Sequence, residues 1–469
     1  MLKKSILILI ITLTLAVLAF FSFSYFAKDN GEGDNNPVSE GINFLSQFNP
    51  FRSDDNKKDE ANPPFVDENG DLQENPDEVE IVAKLKQVSS MPIAGFTIFM
   101  KERFKEIPVI ETPLTPATEN QTSTTTTSQG EPSGKVEVKP EVKKVINKTP
   151  APAPTEFMEA LRYVDRSTGN IYQTFIDKIQ EIKFSSTVIP KIYDAYFGNH
   201  GESVVMRRLK GDGVTIETFL GQLPKEKLGA DGEIIETKGI FLTENIQDIS
   251  PSPDQSKIFY LTNVSNSIVG NILNLRDSKK SQIFDSSFTE WLSFWPSSKS
   301  VTLTTKPSGI VLGYMYALDV DKKSFTRVLG DIYGLTTLTS PTGKLVLYSD
   351  SNLSLNVYNT ETKASTALGV RTLPEKCVWN KTSEYVYCAV PKSIPGLTYP
   401  DAWYQGEASF EDQIWKIGIK DVKNTVLVDP ILELGGVETD GIKLSLSAYE
   451  DYLFFVNKKD SILWELKLR

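Results

Sequence analysis

Histidine is almost absent from this sequence: one residue, His200, in a chain of 469. A single imidazole cannot build a multi-histidine metal site. No other side chain here readily replaces it as a general base near neutral pH. Metal-dependent and histidine-based catalysis are therefore disfavoured, and no cofactor is expected. Cysteine is nearly as scarce, with only Cys377 and Cys388, which excludes a multi-cysteine zinc site and allows at most one disulfide. Positive charge is short as well: 50 Lys and Arg against 61 Asp and Glu give a net charge of -11. Residues 28–80 alone hold 15 acidic and 4 basic side chains, which accounts for the whole excess and leaves the rest of the chain neutral. A neutral folded part lacks the basic face that phosphates demand, so no nucleic-acid partner is expected.

The N-terminus carries a targeting signal. Lys3 and Lys4 precede an uncharged apolar run, ILILIITLTLAVLAFFSFSYF, over residues 6–26. Spanning a bilayer core takes about 20 residues, and basic residues before the run with acidic ones after it (Asp29, Glu32, Asp34) place everything downstream outside the cytoplasm. A cleaved signal peptide has an apolar region of only about 7–15 residues ending in small side chains; here the end is bulky, Phe23-Ser24-Tyr25-Phe26. Residues 1–27 are therefore expected to remain as a single-pass transmembrane signal anchor in the cell membrane. Residues 28–80, rich in Asn, Asp, Glu, Gly and Pro, bury too little apolar surface to offset ordering and are expected to form a disordered acidic tether. A second low-complexity stretch, residues 112–154, contains ATENQTSTTTTSQGEPSG and APAPT. It reads as a disordered Thr/Pro-rich insertion, because the segment before it, PIAGFTIF at residues 92–99, has the character of a strand.

From there to the C-terminus no helical period is sustained; short β-rich runs alternate with turns of Gly, Asn, Asp, Ser and Pro. Four runs share one design: ISPSPDQSKIFYL (249–261), LTSPTGKLVLYS (338–349), WNKTSEYVYCAV (379–390) and LSAYEDYLFFV (446–456), with a weaker copy, FWPSSKSVTLTT, at 294–305. The turn positions Pro253, Pro296, Pro341 and Asn380 are 43, 45 and 39 residues apart. That period fits a four-stranded propeller blade. Each copy is followed by a further strand, GNILNLRD (270–277) and ILWELKL (462–468) among them, so five blades are visible directly. Two more are inferred upstream, one built on AYFGNHGESVVMRRL (195–209), the other on PIAGFTIF with ALRYVDR (160–166) and NIYQTFI (170–176). The expectation is an all-β protein, a seven-bladed β-propeller over residues 81–469. The last blade stops after its third strand, and IVAKLKQVS (81–89) is the segment available to supply the fourth and close the ring.

The SPSPDQSKIFYL and SPTGKLVLYS segments resemble the Ser-Pro-Asp-Gly-x-x-Ile-x-Phe repeat of TolB-type, WD40-like bacterial propellers, over the chain from about residue 82 onward. In that repeat the Asp caps backbone amides and the Gly accepts positive φ. Here Asp254 is followed by Gln255, Thr342-Gly343 keeps only the Gly, and the remaining copies keep neither. The motif is structural. It implies a fold and no activity, and the layout of anchor, acidic tether and propeller resembles uncharacterised single-pass envelope proteins.

Three features stand out as candidate sites. Pairing Asn380 with Tyr385 brings Cys377 opposite Cys388 on antiparallel strands, within reach of a disulfide; the alternative is two buried thiols packing as small hydrophobes. His200 falls between Asn199 and Gly201 in a predicted surface turn, and Trp291, Trp295, Trp379, Trp415 and Trp464 lie in or beside strands as core residues. The segment 391–410, PKSIPGLTYPDAWYQGEASF, inserts about twenty residues between the second and third strands of its blade. Its Tyr399, Trp403 and Tyr404 are the interface candidates, either a binding hot spot or a plug packed on a propeller face. The function expected is an extracytoplasmic binding module of the bacterial cell envelope, with a protein, peptide or polysaccharide partner. The alternative is an enzyme with a carboxylate-based site in the funnel, of lyase or glycosidase type.

Overall fold

The computed structural model describes residues 84–105, 153–229 and 232–469. These form seven four-stranded antiparallel sheets arranged as consecutive blades. The apolar runs read above become second strands buried on both faces, such as Lys257–Val264 and Tyr452–Asn457. Fourth strands such as Ser365–Arg371 are half exposed, since they form the rim. Among the described residues, each pair of neighbouring blades shares one cluster of buried apolar side chains, seven in all, and an eighth lies beneath the blade-six insertion. Trp291, Trp295, Trp379 and Trp464 are buried in these clusters, and Trp415 packs against one.

The seventh blade is made from both ends of the described chain. Its first three strands are Gly441–Leu446, Tyr452–Asn457 and Leu463–Lys467, and Leu85–Gln87 pairs as the fourth with Leu85 opposite Leu466 and Gln87 opposite Trp464. Leu85 joins the cluster between blades six and seven, and Val88 the one between seven and one. Blade one opens with a long hairpin, Ile93–Phe104 against Thr155–Asp165, whose last rung is sealed by the Lys105 amide donating to the Pro154 carbonyl at 2.9 Å. The Thr/Pro-rich insertion departs from that rung; nearly all of it lies outside the described residues.

The blade turns show why the repeat survives loss of its Asp-Gly pair. Gln255, Gly343, Ser383 and Glu450 occupy the same turn position and all adopt φ between 56° and 71°, although only one is glycine. What the copies share is the oxygen at the first turn position. Ser252, Ser340, Asn380 and Ser447 each accept, through the side chain, the amide five residues on, at 3.0 to 3.2 Å. That bond holds the backbone in the left-handed turn. His200 sits in the corresponding turn of blade two, exposed, with φ 54°.

Glu465 faces Lys86 across the closing strand pair, is buried, and one of its carboxylate oxygens has no partner. Burial pushes its carboxyl up to about 7, against Lys86 and Lys467. The folded state therefore holds a proton that the unfolded chain releases near pH 4.5, so stability falls as pH rises from about 4.5 to 7. Glu465→Gln should raise the melting temperature at pH 8, by at most about 3 kcal/mol in stability, and leave it unchanged at pH 4. Equal shifts at both pH values would reject the assignment.

Candidate functional site

The twenty-residue insertion of blade six runs from the end of Tyr385–Pro391 to the start of Asp412–Gly418. Connections between second and third strands emerge on the same face as those between blades, so it lies on the face where the blades join. Its one-turn helix, Asp401–Tyr404, is pinned at both flanks. The Asp401 carboxylate accepts the Gly309 amide of blade four at 2.6 Å, and Lys458 of blade seven donates to the Trp403 carbonyl at 2.6 Å, its ammonium 3.9 Å from the centre of the indole. Beneath it, Tyr399, Ala402, Trp403, Ala408 and Phe410 pack on Leu353 and Leu373 of blade five and its exit.

A fully buried charge cluster fixes this packing. Lys376, ending the turn Pro374–Lys376, forms ion pairs with Asp412 at 2.7 Å and with Asp440. Asp440 also accepts the Trp403 indole N–H at 3.1 Å, the Phe410 amide at 3.1 Å and the Ser409 hydroxyl at 3.2 Å. Asp412 accepts the Gly441 amide at 2.7 Å. Burial pushes Asp412 up to about 6, whereas Asp440, also buried, is held below the ordinary carboxylate range by Lys376, the Phe410 amide and Lys458. One lysine thus ties the insertion to the entries of blades six and seven.

The insertion also walls a cavity of about 960 Å³ on the propeller axis. The first strands of blades one, two, three, four and seven line it, with Glu375, Trp403 and Tyr404 completing the wall. Asp248 on that wall receives the Ser293 amide at 2.5 Å and hydroxyl at 2.6 Å. Burial pushes its carboxyl up. Lys443 donates to Asp194 at 2.7 Å and to the Ala94 carbonyl at 2.7 Å. Asp194 also meets Arg207 at 3.4 Å, and Arg207 in turn donates to the Ile246 and Gln247 carbonyls. Burial acts to raise Asp194, but Lys443 and Arg207 hold it below its usual value. Glu375 accepts the Tyr404 hydroxyl with one oxygen and leaves the other buried without a partner. Burial pushes Glu375 up to about 7, against Tyr404, Lys376 and Lys458.

The structure separates the three interface candidates. Tyr399 and Trp403 are buried, 3 % and 6 % exposed, in the cluster beneath the insertion, with Trp403 also part of the cavity wall; Tyr404 is 41 % exposed and lines the cavity. Trp403→Ala should accordingly cost about 3–5 kcal/mol of stability, read from urea denaturation; a loss below 1 kcal/mol would mean that the insertion does not depend on it. Cys377 and Cys388 are opposite each other in register, with Cα atoms 4.0 Å apart and a disulfide between them. His200 lies in the loops of blades one and two, away from the axial cavity. No cluster of His, Cys, Asp and Glu suited to a metal ion occurs among the described residues. No helix among them is long and apolar enough to cross a membrane, and the run at residues 6–26 lies outside them.

Sequence reasoning missed Lys376, Asp412, Asp440, Asp194, Lys443, Asp248 and Glu375. Their only local trace is a charged side chain at the edge of an apolar strand, as at Asp412.

No family model matches this chain, and neither does any curated protein. Among solved structures it is similar to oligogalacturonate lyase from Vibrio parahaemolyticus at 9 % identity, covering 66 % of this chain and 86 % of that one, TM-score 0.43. A manganese complex of oligogalacturonate lyase matches at 10 % identity, 66 % and 85 % coverage, TM-score 0.43. The tricorn protease matches at 11 % identity over 64 % of this chain and 27 % of its own, TM-score 0.33.

Proposed function

We propose that this chain is a binding module of the bacterial cell envelope: a TolB-like propeller, carried outside the cytoplasm on an uncleaved N-terminal anchor, that presents its axial cavity and the insertion-bearing face to a partner. The observation that carries the reading is the state of the carboxylates around the cavity. Asp194 is neutralised by Lys443 and Arg207, Asp248 is capped by Ser293, and Glu375 is engaged by Tyr404. The charges acting on Glu375 (Lys376, Lys458) do not overlap with those acting on Asp248 (Arg207, Asp194). Glycoside cleavage needs an acid and a second carboxylate acting across one bond, and this arrangement favours recognition over that chemistry.

Full-length protein, immobilised and exposed to the native envelope fraction, should retain a defined protein, peptide or polysaccharide that a heat-unfolded control does not. Depolymerisation of a polysaccharide by the purified protein, abolished in Glu375→Gln, would instead establish the enzyme reading. An N-terminal sequence beginning after Ala27 in membrane-extracted material would remove the anchor from the proposal. Alkylation adding two groups to the non-reduced protein would remove the Cys377–Cys388 bond.

A further inference from the structure

We propose that the axial cavity binds a neutral oligosaccharide, with the Tyr404 ring as its stacking surface and the Ser and Thr hydroxyls of its wall as hydrogen-bonding groups. The inference rests on the binding-module reading and names the ligand class. Four features of the cavity carry it.

The first is charge. Among the described residues Lys443 is the one basic side chain on the cavity wall, and its ammonium is already shared between Asp194 and the Ala94 carbonyl. Arg207 donates to Asp194 and to two backbone carbonyls, and its Nε is buried without a partner. Two cations, Lys443 and Arg207, stand here against two carboxylates, Asp194 and Asp248, so no net positive charge is left to offset the desolvation of a uronate, a phosphate or a sulfate.

Hydrogen-bonding capacity is the second. Thr97, Ser250, Ser293 and Ser445 line the cavity beside Asp248 and Glu375. Hydroxyls both donate and accept, as sugar hydroxyls do. Glu375 Oε2 is enclosed behind this wall, which leaves the hydroxyls as the groups a sugar would meet.

The third is aromatic surface. Tyr404 and Phe294 line the cavity and are 41 % and 38 % exposed, so both present accessible surface. Flat apolar faces bordered by polar groups suit the C–H faces of a pyranose ring. Tyr404 is held in place from behind, edge-on to the buried Trp403 at 5.3 Å between centroids, and by its bond to Glu375. The fourth feature is size, since about 960 Å³ is at the upper end for small-ligand pockets and leaves room for several sugar units.

A basic peptide is the competing occupant, and the same groups argue against it. Asp248 already receives an amide and a hydroxyl from Ser293. Glu375 is half protonated near neutral pH because burial raises it to about 7. Neither offers a full unpaired charge to a lysine.

The test uses full-length protein in detergent on an array of neutral and uronate-containing glycans. The best neutral trisaccharide, trigalacturonate and tetralysine are then titrated calorimetrically. A neutral trisaccharide should bind, trigalacturonate and tetralysine should give no heat, and Tyr404→Ala should weaken binding at least tenfold at a temperature where circular dichroism shows the variant folded. Tyr404→Phe, which keeps the ring, should retain most of the affinity even if the alanine variant is unstable. The proposal is overturned if no neutral glycan binds, if trigalacturonate or tetralysine binds as well or better, or if the Tyr404→Ala variant, or Tyr404→Leu where the alanine variant is unstable, binds like wild type. Should Tyr404→Ala still capture its envelope partner while no glycan binds, the binding-module reading stands and the oligosaccharide inference alone falls.

Discussion

Replacing Lys376 by methionine should destabilise the propeller by about 3–5 kcal/mol, because two fully buried carboxylates would lose their only shared cation. Methionine keeps most of the side-chain volume, so the loss reports charge and not a cavity. Asp412 and Asp440 could escape only by taking up protons. Asp440 is held ionised by the Phe410 amide and the Trp403 indole, which makes that escape costly. The insertion should loosen as well, because the groups it gives to Asp440 are those that seat it. Urea denaturation gives the first effect and proteolytic nicking within residues 392–411 the second. The triple variant Lys376→Met, Asp412→Asn, Asp440→Asn should recover part of the stability, since neutral amides leave no charge stranded. A single Lys376→Met variant within 1 kcal/mol of wild type, or a triple variant no better than the single one, would show that the cluster does not hold the loop.

Removing residues 1–89 should cost several kcal/mol, whereas removing residues 1–83 should cost almost nothing. The difference isolates the strand Leu85–Gln87 with Val88 and Ser89. Leu85 and Val88 are buried in the two clusters that flank blade seven, worth about 2–3 kcal/mol each. The Ser89 hydroxyl accepts the Leu463 amide at 3.0 Å, and that amide would be left without its partner. The truncation also bares the edge of Leu463–Lys467 to intermolecular pairing. Joining Lys105 to Ala153 through a short glycine linker should leave the transition nearly where it was, because the blade-one hairpin is paired to its last rung and loop closure depends weakly on length. Calorimetry on the three shortened chains decides the matter; equal melting temperatures for the chains lacking 1–83 and 1–89 would refute closure through this strand.

The blades were readable because second strands such as KIFYLT and YLFFVN are buried on both faces and so become unbroken apolar runs, and because the turns recur at a blade's spacing. The turn chemistry was only half visible. Asp and Gly were the residues to look for, yet the recurring element is the first-position oxygen of Ser252, Ser340, Asn380 and Ser447, while non-glycine residues bear the positive φ at three of the four turns. The insertion was legible as an excess of length rich in aromatics. Which way Tyr399, Trp403 and Tyr404 point was not, because that depends on Lys376, Asp412 and Asp440, which arrive from three separate elements. The cavity is harder still: Asp194 and Lys443 belong to blades two and seven, 249 residues apart, and nothing in either neighbourhood marks the partner.

Closure of the last blade by Leu85–Gln87 also sets a timetable. During synthesis Leu85 emerges first and its partner Leu466 follows roughly 380 residues later. At about 5–20 residues per second, the interval is on the order of 20–80 s. Throughout it the early strand has no mate, and the growing arc of blades ends on the unsealed flank of its newest member. Neighbouring blades can settle pairwise as they appear, but the ring becomes a ring only after the final strand, Leu463–Lys467, is delivered. Whatever guards the nascent chain therefore has to keep Leu85 and Val88 away from other strands for most of its production. A ribosome that stalls anywhere before Leu463 yields an open arc, a natural substrate for quality-control proteases, however well its completed blades are folded.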